Sequence, residues 1–161
     1  MMTLKSINML RTFFVLAVVV FVAGTAWADT YTVTNTSDSG SGSLREAIEL
    51  ANSNPGLDDI TFNIPDTGPH TIQPLYALPD IVDSVVIDGY TQDGASPATA
   101  ATSAILKIFL DGSATSDTTA LFIGGGVHDC TIRGLKIQQY RLAIGLAGHD
   151  NCVEGNHILD G

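Results

Sequence analysis

The sequence predicts an all-β protein, a parallel β-helix with about 22 residues per coil and one short α-helix near its start. A turn motif, in which an aliphatic and a charged residue precede Gly, recurs four times, and its glycines are nearly evenly spaced at positions 89, 112, 134 and 155. Much of the remaining sequence consists of Thr, Val, Ile, Asp and Gly, the usage of short strands and turns. Only the segment 40–56 has the composition of a helix.

The segment 1–28 has the pattern of a secretory signal peptide. Lys5 and Arg11 form a basic start, an apolar run occupies 13–23, and Ala26-Trp27-Ala28 fits a cleavage site of small residues. The run is shorter than the ~20 apolar residues that a membrane-spanning helix needs. We therefore expect 1–28 to be removed, and the mature chain to be secreted, extracellular or at the cell surface, without a membrane span.

The charge of the chain is strongly acidic. It has 7 Lys and Arg against 17 Asp and Glu, a formal net charge of −10. A nucleic-acid-binding protein would have the opposite balance, so no nucleic-acid partner is expected. Most of the acidic residues are Asp, which favours turns and helix caps. We expect a solvated acidic surface and no cofactor or metal site, with calcium binding as the alternative.

The helix signals lie in "GSGSLREAIELANSNPG" (40–56). Ser43 and Glu46 have the spacing of a capping box, and Pro55 disfavours helix at the residue before it. The pattern predicts a helix at about 44–52. Its apolar face, with spacing i, i+3, i+4, i+7, consists of Leu44, Ala47, Ile48 and Ala51.

A helix of this length is marginal by itself and needs a surface to pack on. Stacked coils have exposed ends that a terminal cap must cover. We therefore predict that the helix covers the N-terminal end of the stack, within a cap region that spans 29–84. The coils would then occupy 85–161.

The stretch "TYTVTNTSDSGSGSLREAIELANSNPGLDDITFNIP" (30–65) resembles the CSLREA-type N-terminal region that precedes right-handed parallel β-helix repeats in exported bacterial proteins. The shared core is "SLREAI" (43–48), and 78–94 is similar to the segment that leads into the first coil. Gly42 stands where the motif has Cys, so a thiol role there is absent. The resemblance implies a pectin-lyase-like right-handed β-helix and export, and it says little about activity.

The repeat motifs place four glycines in equivalent positions: Gly89, Gly112, Gly134 and Gly155. Alignment of the last two copies matches Ile132 with Val153 and Ile137 with Ile158. Alternating apolar pairs, typical of strands, precede each of these copies. They are Leu121 with Ile123, and Ile144 with Leu146.

Candidate catalytic residues follow from the same alignment. Asp88 and Asp111 would occupy equivalent places in successive coils, with Lys107, Arg133 and Lys136 on the same coils. β-Helix enzymes that cut polysaccharides place Asp residues and a basic residue on neighbouring coils, so the resemblance makes these residues weak catalytic candidates. The alternative is structural, because Asp-Gly is also a common turn pair.

The two cysteines, Cys130 and Cys152, lie about one coil apart. Relative to the repeat glycines they differ by one position, and a one-residue shift turns a strand side chain to the opposite face. A disulfide and two free thiols both remain open.

Two functions are compatible with these patterns. The first is a non-catalytic adhesive or structural solenoid whose partners are polysaccharide or cell-surface components. The second is a carbohydrate-active enzyme, a polysaccharide lyase or a glycoside hydrolase, for which the sequence shows no convincing polar cluster. Because Val153 and Ile158 begin a coil that no later residue covers, we also expect a longer chain, or self-association at this end.

Overall fold

The computed structural model describes residues 27–115 and 118–159. The predicted signal peptide lies outside these residues except for Trp27 and Ala28. Its predicted removal therefore stays a prediction.

Eleven short strands in this part of the chain form three parallel sheets, and one α-helix, α1, spans Leu44–Ser53. The first sheet has the order β1 (Thr30–Val33), β2 (Asp58–Phe62), β4 (Val85–Asp88), β7 (Thr131–Arg133) and β10 (Cys152–Glu154). The second has the order β3 (His70–Ile72), β5 (Ile108–Asp111), β8 (Leu135–Gln138) and β11 (His157–Leu159). The third pairs β6 (Thr119–Ile123) with β9 (Leu142–Leu146).

The predicted right-handed parallel β-helix with regular coils is wrong. The described strands form small sheets of five, four and two strands, and none of these sheets closes or continues as a solenoid. The sequence separation between paired residues is also irregular. Val86 pairs with Thr131, about two predicted coil lengths later in the chain, whereas Thr131 pairs with Cys152, about one coil length later. Segments of unequal length between the strands, such as 89–107, interrupt the period that the turn motifs had indicated.

The alignment of the four repeat glycines is correct for three of them. Gly89, Gly134 and Gly155 follow β4, β7 and β10, which are neighbours in the first sheet. Gly112 follows β5, which belongs to the second sheet. The motif "aliphatic, charged, Gly" therefore marks the end of a strand, but it does not say which sheet the strand joins.

The alignment of the last two copies is confirmed residue by residue. Val153 pairs with Ile132 and Ile158 pairs with Ile137, each in parallel register. The alternating apolar pairs also meet, since Leu121 and Ile123 lie beside Ile144 and Leu146 respectively. Short segments with matched apolar positions thus select the correct partner even where the global period fails.

Helix α1 begins where the capping signal places it. The Ser43 Oγ accepts a hydrogen bond from the Glu46 N–H at 3.2 Å. The Glu46 Oε2 accepts from the Gly42 N–H at 2.6 Å, one residue further back than a standard capping box. The four apolar residues predicted for the buried face are all buried: Leu44, Ala47, Ile48 and Ala51. This face packs against β1 and β2.

Arg45 ties α1 to two other segments. Its Nη2 lies 3.0 Å from the Asp38 Oδ1, and its Nε donates to the Asp38 carbonyl at 3.0 Å. The same guanidinium donates to the carbonyls of Tyr76 and Ala77 at 2.9 and 2.7 Å. The Leu75 N–H also donates to the Asp38 Oδ1. The hydrogen-bonded pair of Asp38 and Arg45 therefore holds together the start of α1, the loop before it and the segment after β3.

The core is a single cluster of buried apolar side chains drawn from all three sheets and from α1. Central strands bury every second residue, as in β4, where Val85 and Ile87 are buried and Val86 and Asp88 are half-buried. The half-buried residues at the ends of these strands are the ones available for a site.

Candidate functional site

The candidate site is a cavity of about 640 Å³ beside the ends of β4, β7 and β10. Asp88, Arg133 and Glu154 line one side of it. They occupy the last positions of these three neighbouring strands and lie in register, Asp88 beside Arg133 and Arg133 beside Glu154. We refer to these three residues as the charged ladder.

Another group of residues that line the cavity is apolar and comes from the segment between β4 and β5. Pro97, Ala98, Ala104 and Leu106 line it. Ser96 and Ile105 exchange backbone hydrogen bonds of 3.0 and 2.8 Å, so this segment folds back on itself as a hairpin. The cavity therefore combines charged residues at the ends of three sheet strands with these apolar residues of the hairpin, which we call the apolar wall.

Within the charged ladder, Asp88 and Arg133 are tightly joined, and Glu154 is more open. The Arg133 Nη2 donates to the Asp88 Oδ2 at 2.8 Å, whereas the Arg133 Nη1 lies 3.8 Å from the Glu154 Oε1. The hydrogen bond to Asp88 raises the pKa of Arg133 above its usual value. The side chain of Asp88 is 15% exposed and that of Glu154 is 58% exposed. Glu154 is thus the carboxylate of the ladder that a partner can reach.

Tyr90 lies across the end of the ladder and explains two of the repeat glycines. Its hydroxyl donates to the Gly155 carbonyl at 2.7 Å, and its N–H donates to the Asp88 Oδ1 at 2.9 Å. Gly134 has a φ of +74°, and a Cβ there would lie 2.7 Å from the Tyr90 nitrogen and 2.9 Å from its ring. Gly155 also has positive φ and faces the Tyr90 hydroxyl. Burial, followed by the negative charge of Asp88, raises the pKa of Tyr90.

The structure unites two of the predicted catalytic candidates and separates the others. Asp88 and Arg133 form the ion pair, but Asp111 lies in the second sheet, where it pairs with Gln138. The predicted proximity of Asp88 and Asp111 as equivalent positions of successive coils is therefore wrong. The reason is that the third repeat motif returns the chain to the first sheet, so the neighbour of Asp88 is Arg133.

The remaining candidates have local structural partners. Burial opposes ionisation of Asp111, yet hydrogen bonds from Ser113 and Gln138 outweigh it and lower its pKa. The Lys107 Nζ donates to the Thr67 carbonyl at 2.9 Å. The Lys136 Nζ lies 4.6 Å from the centre of the Phe109 ring, a cation–π contact. None of these three residues lines the described cavity.

A second pair of polar residues was not recognised from the sequence. His128 and His149 stack with ring centroids 5.4 Å apart, and each His Nδ1 contacts the carboxylate of the following Asp, at 2.8 and 3.0 Å. The available signal is the His-Asp dipeptide, which recurs at 128–129 and 149–150. Among the described residues, no group of three or more His, Cys, Asp or Glu is placed to hold a metal ion.

The cysteines are two free thiols in this structure. Cys130 is buried and Cys152 is exposed. Cys152 lies beside Thr131, one residue after Cys130, which agrees with the offset of one position between the two repeats. Burial raises the pKa of the Cys130 thiol.

The last strand of every sheet exposes apolar side chains. We call the outward sides of β9, β10 and β11 the outer edge, since each of these strands ends its sheet. Val153 and Ile158 are 38% and 50% exposed, although their register partners Ile132 and Ile137 are fully buried. Leu146 of β9 is 51% exposed. The outer edge thus has core-type residues that no described residue covers.

No helix in residues 27–115 and 118–159 is long and apolar enough to cross a membrane.

Comparison with known proteins leaves the chain without an assigned relative. No protein-family model matches it, and searches of the curated proteins and of the solved structures find no significant match.

Proposed function

We propose that the protein is an exported, non-catalytic module with an adhesive or structural role, and that it associates through its outer edge. The observation that carries this proposal is the difference between the two ends of the first sheet. Helix α1 covers β1 and β2 with a buried apolar face, whereas β10 at the other end exposes Val153. The signal-peptide pattern and the resemblance to CSLREA-type N-terminal regions support the exported location.

The physical basis is that an open sheet edge is adhesive. It combines unpaired N–H and C=O groups with side chains that favour burial. Complete burial of a Val, Leu or Ile side chain contributes about 1.5–3 kcal/mol, so covering the half-exposed Leu146, Val153 and Ile158 together contributes several kcal/mol. The backbone hydrogen bonds that an added strand would form with the edge would also fix the orientation of that strand.

The test is self-association of the full chain, measured by sedimentation velocity over a range of concentrations. We expect the wild type to associate, and the double variant Val153→Lys, Ile158→Lys to be monomeric at the same concentrations. The matched control is Leu57→Lys, Val82→Lys, whose side chains are 46% and 60% exposed and lie outside the outer edge. It should associate like the wild type.

A monomeric wild type at all concentrations would overturn the proposal. Equal association of wild type and edge variant would overturn it as well, because the outer edge would then not be the contact surface.

A second candidate function is a carbohydrate-active enzyme, and the observation that favours it is the pairing of Asp88 with Arg133 inside the cavity. Incubation with acidic polysaccharides, with and without calcium, tests it. Release of unsaturated or reducing sugars by the wild type, and its loss in Arg133→Met, would favour the enzyme. Absence of release from every polysaccharide would favour the non-catalytic module.

A further inference from the structure

We propose that the outer edge at β10 and β11 selects one kind of partner, an extended polypeptide segment in which an apolar residue is followed by Arg or Lys and then by Gly. This inference rests on the proposed role of the outer edge in association, and it specifies the chemistry of the strand that covers the edge.

The first argument is the alternation of charge along the ladder. Asp88, Arg133 and Glu154 follow one another on adjacent strands as negative, positive, negative. Within the part of the chain that the structure describes, the ion-pair contact of Glu154 is the 3.8 Å approach of Arg133, and its side chain is 58% exposed. A strand added beside β10 would place a side chain directly opposite Glu154, where a like charge is unfavourable and an opposite charge is favourable. A basic residue therefore fits this position.

The second argument is the apolar register. Val153 precedes Glu154, and it lies in line with Ile87 and Ile132 of β4 and β7, which are both fully buried. An apolar residue opposite Val153 would extend this column and remove its exposed surface from water. The partner therefore needs an apolar residue immediately before its basic residue.

The third argument is the shape of the backbone between the two sheets. Strand β10 belongs to the first sheet and β11 to the second, and Gly155 stands between them with a φ of +60°. Gly134, between β7 and β8, has a φ of +74° and makes the same change of sheet. Because residues other than Gly rarely adopt this conformation, a segment that covers both β10 and β11 needs Gly after the basic residue.

The chain itself contains a segment with this pattern in the equivalent place. "TIRGLKI" (131–137) spans β7 and β8 and covers the inward sides of β10 and β11. Its Ile132 and Arg133 meet Val153 and Glu154, and its Ile137 meets Ile158. A segment of the same pattern on the outward side would repeat these contacts.

The cavity provides the space for the basic side chain. Glu154, Gly155 and His157 line it together with Pro97 and Ala98 of the apolar wall. The hydrocarbon stem of Arg or Lys can lie along such a wall while its charged end reaches a carboxylate. A short or acidic side chain at this position would lack both contacts.

The experiment uses fluorescently labelled peptides and the full-length protein, with binding measured by fluorescence anisotropy. The probe has the sequence Thr-Ile-Arg-Gly-Leu-Lys-Ile, and the control peptide has Glu in place of its Arg. We expect the Arg peptide to bind wild-type protein about three- to tenfold more tightly than the Glu peptide, because the substitution exchanges a favourable cross-strand charge pair for an unfavourable one. The variant Glu154→Lys should reverse this preference, and Glu154→Gln should abolish it.

Equal binding of both peptides to wild type, or an unchanged preference in Glu154→Lys, would overturn the inference. Binding of neither peptide would also overturn it. If the wild type still self-associates through Val153 and Ile158 in that case, the outer edge keeps its proposed function and only the predicted partner chemistry fails. Glu154 is exposed, so its substitution should leave the fold intact, which the far-ultraviolet circular dichroism spectrum checks.

Discussion

Replacement of Ile48 by Ala should test the role of α1 most directly. Ile48 lies at the centre of the buried face of the helix and is 1% exposed. The change removes three buried carbon atoms, and the lost transfer free energy is about 2.4 kcal/mol at ~0.8 kcal/mol per carbon. An unfilled cavity between α1 and the first sheet adds to this loss. We therefore expect the free energy of unfolding to fall by about 3 kcal/mol, within the ~2–5 kcal/mol range for such changes.

The assay is urea unfolding of the full chain, monitored by far-ultraviolet circular dichroism. The matched control is Leu50→Ala on the same helix, because Leu50 is 45% exposed. A substitution at such a position should change stability by roughly 0.5 kcal/mol or less. Ile48→Asp should be more damaging than Ile48→Ala, because it buries an unpaired charge. Equal midpoints for Ile48→Ala and Leu50→Ala would refute the assignment of α1 as a packed part of the core.

Three further predictions concern single residues. Gly134→Ala should lower stability in thermal unfolding by about 1–3 kcal/mol, because the residue has positive φ and adjoins Tyr90, whereas Gly125→Ala, whose Cβ would meet no atom within 4 Å, should be nearly neutral. The pKa of Asp38 is lowered, first by the Leu75 N–H and then by Arg45, so its stabilisation is present above the unfolded value of 3.8 and is lost as pH falls through the folded pKa. The difference in unfolding free energy between wild type and Asp38→Asn should therefore shrink in acid. A difference that does not change with pH would contradict this prediction. In thiol titration of native protein, the exposed Cys152 should react quickly, and the buried Cys130 only after unfolding.

Local features could be predicted from the sequence because their causes are local. The capping signal at Ser43 and the apolar spacing on one face place α1 within one residue of its observed end. The match of Ile132 with Val153 and of Ile137 with Ile158 is correct, since side chains on neighbouring parallel strands pair like with like. The same strand register explains why Cys152 lies beside Thr131 and not beside Cys130.

The site could be predicted only in part. Asp88 and Arg133 were candidates, but Glu154 and Tyr90 were not, because their proximity depends on strands that are far apart in sequence. Tyr90 contacts Gly155 across 65 residues, and no local pattern indicates such a contact. The hairpin that forms the apolar wall also has no strand pattern in the sequence, because residues 95–104 are mostly Ala, Ser and Thr.

The sequence by itself determined the helix and its buried face, and it marked the ends of β4, β5, β7 and β10, because backbone propensity and alternation of side chains act over a few residues. Only the tertiary structure decided which sheet each strand joins. It therefore replaced the predicted single stack of regular coils with three small parallel sheets. The reason is that sheet membership depends on the lengths and paths of the connecting segments. The segment 89–107 carries the chain out to form the cavity wall before β5 begins, and so Asp111 joins the second sheet while Arg133 comes to lie beside Asp88.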